Sequence, residues 1–276
     1  MDTSASVKST DSLQGDERNS ERNKIIETVK LTKSFGGHTA VSDVSLSIFD
    51  KELKSIIGPN GAGKTTFFNL LSGQMKPTSG EIFYKGNEIQ NLPPHKRTKL
   101  GIGRSFQITN VFPTLTVLEN VRLAVQAKHN IHYSMFRHYK YYKHLEEEAY
   151  QSLEKVKLEP KAEHLASSLA HGEKRKLEIA ILLSLDTQLL LLDEPTAGMS
   201  VDEVPQIIEV IESIRDQRDR TIILIEHKID LVKHLSDTIA VLFHGKKLAD
   251  GSPEEIMNND QVQSAYLGGL YNDAED

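Results

Sequence analysis

A glycine-rich loop between a short strand pattern and an apolar helical pattern constrains this chain more than any other feature. The loop reads Gly58-Pro-Asn-Gly-Ala-Gly-Lys64-Thr65 and fits the phosphate-binding pattern G-x-x-x-x-G-K-[ST]. The run Leu53 to Ile57 before it predicts a strand, and the residues after it predict a helix that ends near Gly73 and Pro77. A strand, such a loop and a helix in this order predict an α/β fold that binds a nucleotide.

Each residue type in the loop has a physical role toward a bound phosphate. Glycines let successive backbone N–H groups converge on the phosphate oxygens, Lys64 brings a cation to the β and γ groups, and the Thr65 hydroxyl suits one position around Mg²⁺. We expect the nucleotide to be bound by Gly58, Pro59, Asn60, Gly61, Ala62, Gly63, Lys64, Thr65 and Thr66. The loop alone predicts binding of a nucleoside triphosphate and says nothing of its hydrolysis.

Two acids after a run of leucines supply the groups that hydrolysis needs. Leu189 to Leu192 predict a buried strand, so Asp193 and Glu194 lie at its carboxyl edge, where ligands bind in parallel sheets. One carboxylate can hold a metal through its water shell, and the other can orient and deprotonate the attacking water. A further strand, Ile222 to Ile225, ends just before His227, whose imidazole we expect at the same edge.

Patterns of apolar and polar residues divide the rest of the chain into a sheet region, a helical region and two tails. Strand and helix patterns alternate from Leu189 onward and predict a mainly parallel sheet with helices on both faces. Ile25 to Ile48 predict short strands, whereas residues 107–178 are rich in helix formers and predict a separate helical subdomain. We expect residues 1–23 to be a disordered polar tail and residues 269–276 to be an acidic tail.

Composition excludes several classes of function. The apolar runs are far shorter than the ~20 residues of a bilayer span, and we expect an intracellular protein that does not cross a membrane. The absence of cysteine excludes disulfides, thiol nucleophiles and cysteine-ligated metal centres. A net charge of -6 argues against general nucleic-acid binding, so we expect no nucleic-acid partner.

The order of the motifs resembles the nucleotide-binding subunit of an ATP-binding cassette (ABC) transporter over residues 24–268. Three further matches carry the resemblance: Phe35 before the loop, Gln107 at the start of the helical subdomain, and a signature segment at Leu169 to Glu173. The resemblance implies a P-loop NTPase fold with a RecA-like, mainly parallel sheet, an antiparallel β subdomain and an inserted α-helical subdomain.

The resemblance also implies a role for each matching residue. It implies that Phe35 stacks on adenine, that Gln107 meets Mg²⁺ and the attacking water, that Glu194 is the general base and that His227 contacts the γ-phosphate. ATP and Mg²⁺ are the implied cofactors, and ATP hydrolysis coupled to transport is the implied reaction. The implied metal positions are Thr65, Gln107 and Asp193.

The signature segment departs from the family's usual Leu-Ser-Gly-Gly-Gln. It reads Leu169, Ala170, His171, Gly172 and Glu173. In the family this segment begins a helix whose N-terminus points at the γ-phosphate bound by the opposite subunit. Ala170 lacks the hydroxyl, and one missing hydrogen bond to a charged group is worth about 1.5 to 3 kcal/mol. We therefore expect weaker ATP-driven closure of a dimer, unless the N–H of Gly172 suffices.

Local patterns within the family are most similar to importer subunits for branched-chain amino acids, urea and amides. These are Phe35-Gly36-Gly37, Leu224-Ile225-Glu226-His227, Gly251-Ser-Pro-Glu-Glu-Ile256 and Tyr266-Leu267-Gly268. The resemblance implies a second ATPase subunit (a copy or a paralogous sister), transmembrane permease subunits and, indirectly, an extracytoplasmic substrate-binding protein. It implies a position on the cytoplasmic face of the plasma membrane.

Two other functions stay open at this point. One is a nucleotide-gated regulatory module with little turnover, and the other is the ATPase of another ABC system such as a lipopolysaccharide exporter. A soluble cassette ATPase acting on ribosomes or DNA is disfavoured, because such proteins usually carry two cassettes or a long coiled-coil insertion.

One segment is unusual in composition. Arg122 to His144 contains basic and aromatic residues and no Asp or Glu. This composition predicts either a surface against a membrane or a membrane partner, or a solvated loop. Metal binding by its histidines is disfavoured, because no acidic ligand accompanies them.

Overall fold

Two β-sheets form the framework of the protein, which a computed structural model describes over residues 23–105, 111–131 and 143–265. The strands are β1 (Lys24–Phe35), β2 (His38–Phe49), β3 (Leu53–Ile57), β4 (Ser79–Tyr84), β5 (Asn87–Glu88), β6 (Ile102–Arg104), β7 (Leu189–Asp193), β8 (Thr221–Ile225), β9 (Thr238–Phe243) and β10 (Lys246–Gly251). One sheet has the order β2-β1-β4-β5 and is antiparallel. The other has the order β10-β9-β3-β8-β7-β6 and is parallel from β9 to β6.

The helices follow from the chain's capping signals and apolar faces. They are α1 (Lys64–Ser72), α2 (Pro94–Lys99), α3 (Val117–Lys128), α4 (Lys143–Lys155), α5 (His171–Ser184), α6 (Val204–Asp216), α7 (Ile229–Leu235) and α8 (Pro253–Met257). Gly73 ends α1 with a left-handed backbone, as the sequence predicts, and Ser252 with Glu255 forms the capping box that opens α8. The helix α5 runs through residue 178, where we expected the helical subdomain to end, and stops at Ser184.

The parallel strands are buried on both faces because different elements cover each face. In β7, Leu190 and Leu192 pack with the helices between β6 and β7, while Leu189 and Leu191 pack with α1 and the antiparallel sheet. This alternation is the period of two that a strand imposes on its side chains. The structure thus confirms the predicted α/β fold class, with a mainly parallel sheet and a separate antiparallel sheet.

The first two strands are longer than the short strands predicted over Ile25 to Ile48. Each has 12 residues, and they meet at the turn Gly36–Gly37. Their pairing register shifts between Thr28 and Leu31, and Lys30 and Asp43 have positive φ angles. These irregularities interrupt the alternation of apolar and polar residues, so the sequence pattern understates the length of each strand.

None of the helices in the described ranges is both long and apolar enough to span a bilayer. Residues 1–22 of the predicted polar tail, the predicted acidic tail at residues 269–276, and residues 132–142 of the basic aromatic segment lie outside the described residues.

Candidate nucleotide-binding and catalytic site

The phosphate-binding loop leads from the carboxyl end of β3 into α1 through backbone that only glycine tolerates. Gly58 has φ 153, and a Cβ there would lie 2.1 Å from the carbonyl oxygen of Leu242. Gly63 has φ 94, and a Cβ there would lie 2.2 Å from the carbonyl oxygen of Ala40. No side chain caps the N-terminus of α1. The loop and the first turn of α1 therefore offer N–H groups to an anion, as the sequence motif predicts.

Lys64 is held within this loop. Its side chain is buried, with the residue 6% exposed, and Nζ donates to the carbonyl oxygens of Gly58 at 2.7 Å and Pro59 at 3.0 Å. Burial lowers the pKa of Lys64, and the charges of Glu194 and Asp193 oppose that shift. Among the described residues, the ammonium group thus has only neutral oxygens at hydrogen-bond distance, and it is suited to bind phosphate.

Asp193 ends β7 in a fully buried position. Arg104 Nη2 donates to Asp193 Oδ2 at 2.9 Å, and the backbone N–H of Asp193 donates to Ser105 Oγ at 3.2 Å. The other carboxylate oxygen, Oδ1, is buried and has no hydrogen-bond partner among the described residues. Burial raises the pKa of Asp193, and the adjacent Arg104 opposes the shift. An unpaired carboxylate oxygen beside a phosphate-binding loop matches the oxygen ligands that Mg²⁺ prefers.

Arg104, on β6, is a site residue to which sequence reasoning assigned no role. Besides Asp193, its guanidinium donates to Asn69 Oδ1 at 2.6 Å and Ser72 Oγ at 2.9 Å, both on α1, and it lies 5.8 Å from the ring centroid of Phe68. The residue thereby joins the edge strand, the helix after the phosphate loop and the aspartate of β7. Its only local signal is a basic residue at the end of a short apolar strand.

Glu194 and His227 lie together where two adjacent strands end. The register pairs Asp193 of β7 with Ile225 of β8, which brings the residues after each strand side by side. His227 Nε2 lies 2.8 Å from Glu194 Oε1, and both side chains are partly exposed. An ionised carboxylate only accepts hydrogen bonds, so the His227 Nε2–H donates to Glu194. The structure therefore brings together the two residues that the sequence placed at one sheet edge.

The signature segment begins α5, and its polar groups contact the loop after β7. The Gly172 N–H donates to Glu203 Oε1 at 3.0 Å, and His171 Nε2 lies 3.2 Å from the carbonyl oxygen of Ala197. Glu173 accepts from the Ala170 N–H at 3.0 Å and pairs with Lys161 at 2.5 Å. Half of a capping box is thus present, because the Ala170 side chain has no acceptor for the helix.

Phe35 is 46% exposed at the end of β1, with the Lys33 ammonium 5.1 Å from its ring centroid. An exposed aromatic face is what stacking on a base requires. Gln107 lies outside the described residues, so its implied contact with Mg²⁺ and water stays a prediction.

Two family models match this chain. A model described as "ABC transporter" matches residues 41–197, and one described as "Branched-chain amino acid ATP-binding cassette transporter" matches residues 246–271.

Curated relatives match nearly the whole chain. The high-affinity branched-chain amino acid transport ATP-binding protein BraF of Pseudomonas aeruginosa is 41% identical over 250 residues, which is 88% of this chain and 98% of BraF. The corresponding protein LivG of Escherichia coli K12 is 40% identical over 243 residues, covering 86% of this chain and 95% of LivG. A lipopolysaccharide export system ATP-binding protein, LptB of Haemophilus influenzae, is 32% identical over 244 residues, covering 88% of this chain and 97% of LptB.

Solved structures have the same fold. The ADP conformation of MJ1267, an ATP-binding cassette of an ABC transporter, superposes with a TM-score of 0.76 at 26% identity, covering 89% of this chain and 99% of MJ1267. A dimeric structure of the cassette MJ0796 bound to ADP and Pi has a TM-score of 0.71 at 26% identity, covering 83% of this chain and 98% of MJ0796.

Proposed function

Because this chain belongs to the family of ABC transporter ATP-binding domains, we propose that it hydrolyses ATP as a subunit of a membrane importer for branched-chain amino acids. The C-terminal family match over residues 246–271 supports this substrate class over urea or amides. Our proposed site consists of the phosphate loop Gly58 to Thr66 with Asp193, Glu194 and His227.

The observation that carries the proposal is the hydrogen bond between His227 and Glu194 at the edge where the phosphate loop leaves β3. A chain that only senses nucleotide needs the loop alone, whereas turnover needs a base for the attacking water. The proposed general base is Glu194, whose carboxylate accepts from His227 at 2.8 Å. In our proposal His227 orients the carboxylate through this hydrogen bond, and its imidazole also contacts the γ-phosphate.

The remaining residues supply binding and charge. Lys64 exchanges its two carbonyl partners for phosphate oxygens, and the N–H groups of the loop bind the β-phosphate. The Thr65 hydroxyl and the unpaired Oδ1 of Asp193 would hold Mg²⁺, directly or through water. When bound, Mg²⁺ neutralises charge on the β- and γ-phosphate oxygens. Glu194 takes the proton of the attacking water at its carboxylate.

We propose that two such cassettes close on ATP. The dimeric cassette MJ0796 has this fold and supports such pairing. In our proposal Leu169 to Glu173 of one subunit face the γ-phosphate on the other, and the second subunit is a copy or a related sister chain. Permease subunits would anchor the pair at the cytoplasmic face of the membrane, and an extracytoplasmic binding protein would act through them.

A second candidate is a nucleotide-gated module that barely turns over. Ala170 favours it, since the segment lacks a hydroxyl donor for the partner's phosphate. The geometry of Glu194 and His227 favours turnover, and we retain hydrolysis as the proposal.

Uptake in the source cells tests the proposal. Radiolabelled leucine uptake is measured with the wild-type chain and with Glu194→Gln expressed at equal levels, and unlabelled valine, urea and acetamide serve as competitors. We expect Glu194→Gln to abolish uptake and only valine to compete. Unchanged leucine uptake together with impaired lipopolysaccharide delivery to the outer membrane would favour the exporter instead.

A further inference from the structure

Glu226 is a buried carboxylate to which neither the sequence motifs nor the proposed chemistry gives a role. It follows β8 directly and is 3% exposed. Its Oε1 accepts from the backbone N–H of Thr196 at 3.1 Å and from Thr196 Oγ1 at 2.6 Å. Its Oε2 accepts from the backbone N–H of His227 at 3.1 Å. One side chain therefore binds both the segment after β7 and the segment after β8.

The segment after β7 has a backbone conformation that needs such support. Glu194 has φ 46, in the left-handed region that side chains with a Cβ disfavour. Its N–H donates to the Ile225 carbonyl oxygen at 2.9 Å, and its carbonyl oxygen accepts from the Ala197 N–H at 3.0 Å. The next residue, Pro195, has no N–H to donate. Thr196 is thus the first residue after Glu194 that can tie this turn to a neighbouring strand by an N–H.

We propose that Glu226 is a positioning residue that sets the Glu194 turn against His227, an inference that rests on the proposed role of Glu194 as general base. The bond between His227 Nε2 and Glu194 Oε1 requires the two backbone segments to keep their relative position. Glu226 fixes that position because it accepts hydrogen bonds from Thr196 in one segment and from the His227 N–H in the other. Displacements of about 1 Å in such arrangements cost on the order of a hundredfold in rate.

A carboxylate is required because both of its oxygens face donors. In Glu226→Gln the amide has nearly the same volume but only one acceptor oxygen. If that oxygen faces Thr196, the NH₂ group opposes the His227 N–H, and if the amide flips, the NH₂ group opposes the Thr196 N–H. Either orientation leaves a buried donor unpaired and pushes the two segments apart.

The test is a double-mutant cycle with Glu226→Gln and Glu194→Gln. We expect Glu226→Gln to lower kcat for ATP about tenfold to a hundredfold, while the calorimetric Kd for ATP changes less than about threefold. In the Glu194→Gln background, single-turnover hydrolysis of radiolabelled ATP should respond to Glu226→Gln by less than about twofold, because the carboxylate it positions is already absent. A residue that only stabilises the fold would instead lower the rate equally in both backgrounds.

Thr196 variants keep the proposal testable if Glu226→Gln does not fold. Thr196→Val removes the hydroxyl donor but keeps the N–H, and Thr196→Ser keeps both. We expect Thr196→Val to lower kcat about threefold to thirtyfold and Thr196→Ser to retain most of it. Thr187→Val is the matched control, because this buried hydroxyl donates to the Leu182 carbonyl oxygen at 2.8 Å before β7. It should lower Tm like Thr196→Val and leave kcat unchanged.

The outcomes separate this inference from the proposed function. If Glu194→Gln lowers kcat but Glu226→Gln and Thr196→Val retain the wild-type value, or if the Glu226 and Glu194 effects multiply, the positioning role is wrong and the general base stands. If Glu194→Gln itself retains wild-type turnover, the proposed general base is wrong and the positioning role is overturned with it.

Discussion

Arg104 and Asp193 form a buried ion pair, with Nη2 2.9 Å from Oδ2, and among the described residues the other carboxylate oxygen has no hydrogen-bond partner. The same guanidinium also bonds to Asn69 and Ser72 of α1, so its position is set by the helix that follows the phosphate loop. Arg104 therefore orients the Asp193 carboxylate through Oδ2 and leaves Oδ1 available to other ligands. This relation predicts that Arg104 affects both the stability of the chain and its affinity for magnesium-bound nucleotide.

Arg104→Met should destabilise the chain by about 3 to 5 kcal/mol, because it leaves the Asp193 carboxylate buried and unpaired. The double variant Arg104→Met with Asp193→Asn should regain part of that free energy of unfolding, since no uncompensated charge remains. Urea denaturation measures the free energy of unfolding of both variants. Recovery of stability without recovery of Mg²⁺-dependent ATP binding, measured by calorimetry with and without EDTA, is the expected pattern.

Lys54→Met serves as the control for this variant. It removes the ion pair between Lys54 and Asp250, at 2.7 Å, away from the proposed site. It should lower stability and leave the affinity for MgATP unchanged. If Arg104→Met also leaves that affinity unchanged, Arg104 has no role in orienting Asp193 toward the metal.

Lys64→Ala should weaken ATP binding about tenfold to a hundredfold, because it removes a cation that binds phosphate before any reaction. Stability should change little, since within the part of the chain that the structure describes Lys64 Nζ donates only to backbone carbonyl oxygens of the loop. Isothermal titration calorimetry gives the affinity. Lys76→Ala, at an exposed lysine just beyond α1, should bind ATP like the wild type.

Glu194→Gln should keep the affinity for ATP and lower hydrolysis by about 10²-fold or more, the range for loss of a general base. The amide keeps the size of the carboxylate and can still accept from His227, so binding and fold should persist. Steady-state phosphate release is compared with equilibrium binding on the same preparation. Undiminished release would exclude Glu194 as the base.

The parts of this structure that the sequence predicted are those set by local patterns. Strands β3 and β8 occur where the sequence predicts them, because each is a short stretch rich in leucine and isoleucine whose ends are marked by polar residues or glycine. The phosphate loop needs glycines at fixed spacing, so its pattern is local as well. Glu194 and His227 follow from the same logic, because the ends of adjacent parallel strands share an edge.

The roles of Arg104 and Glu226 could not be predicted from the sequence, because their partners are distant in the chain. Arg104 meets Asp193 across 89 residues and Asn69 across 35, and Glu226 meets Thr196 across 30. A lone arginine or glutamate at a strand end has many possible partners, and only the assembled sheet selects among them. The bulges in β1 and β2 could not be predicted for a related reason, since pairing across strands creates them.

The environment of Asp237 predicts that part of the chain's stability is lost at low pH. Burial alone would raise the pKa of Asp237, but two hydrogen bonds from Arg218 and one from the Leu53 N–H lower it below its ordinary value. A lowered folded-state pKa contributes stability above the unfolded value near 3.8, and that stability is lost as pH falls through the folded pKa. Asp237→Asn should therefore cost about 1 to 2 kcal/mol at pH 7, with the partly exposed Arg218 reducing the effect.

The comparison with the wild type across pH checks this assignment. The difference in free energy of unfolding between wild type and Asp237→Asn should shrink once the pH falls below about 3.8. Asp219→Asn, a partly exposed acid 3.7 Å from Arg220 Nε, should show little difference from wild type at either pH. A constant difference between pH 7 and pH 3 for Asp237→Asn would contradict the assignment.

Ala170→Ser tests whether the signature segment faces nucleotide on a second subunit, and we expect this variant to have two effects. Ala170 is the N-cap of α5, where a serine side chain can also accept from the helix N–H groups and stabilise the chain by about 1 kcal/mol. Ala170→Asp caps the helix equally well but places a negative charge toward any γ-phosphate.

In the Glu194→Gln background, which should retain ATP, both variants should raise Tm. In analytical ultracentrifugation, Ala170→Ser should lower the ATP concentration for dimerisation about tenfold to a hundredfold, and Ala170→Asp should raise it. Equal dimerisation of both variants, alone and with a sister ATPase, would mean that Leu169 to Glu173 do not face nucleotide.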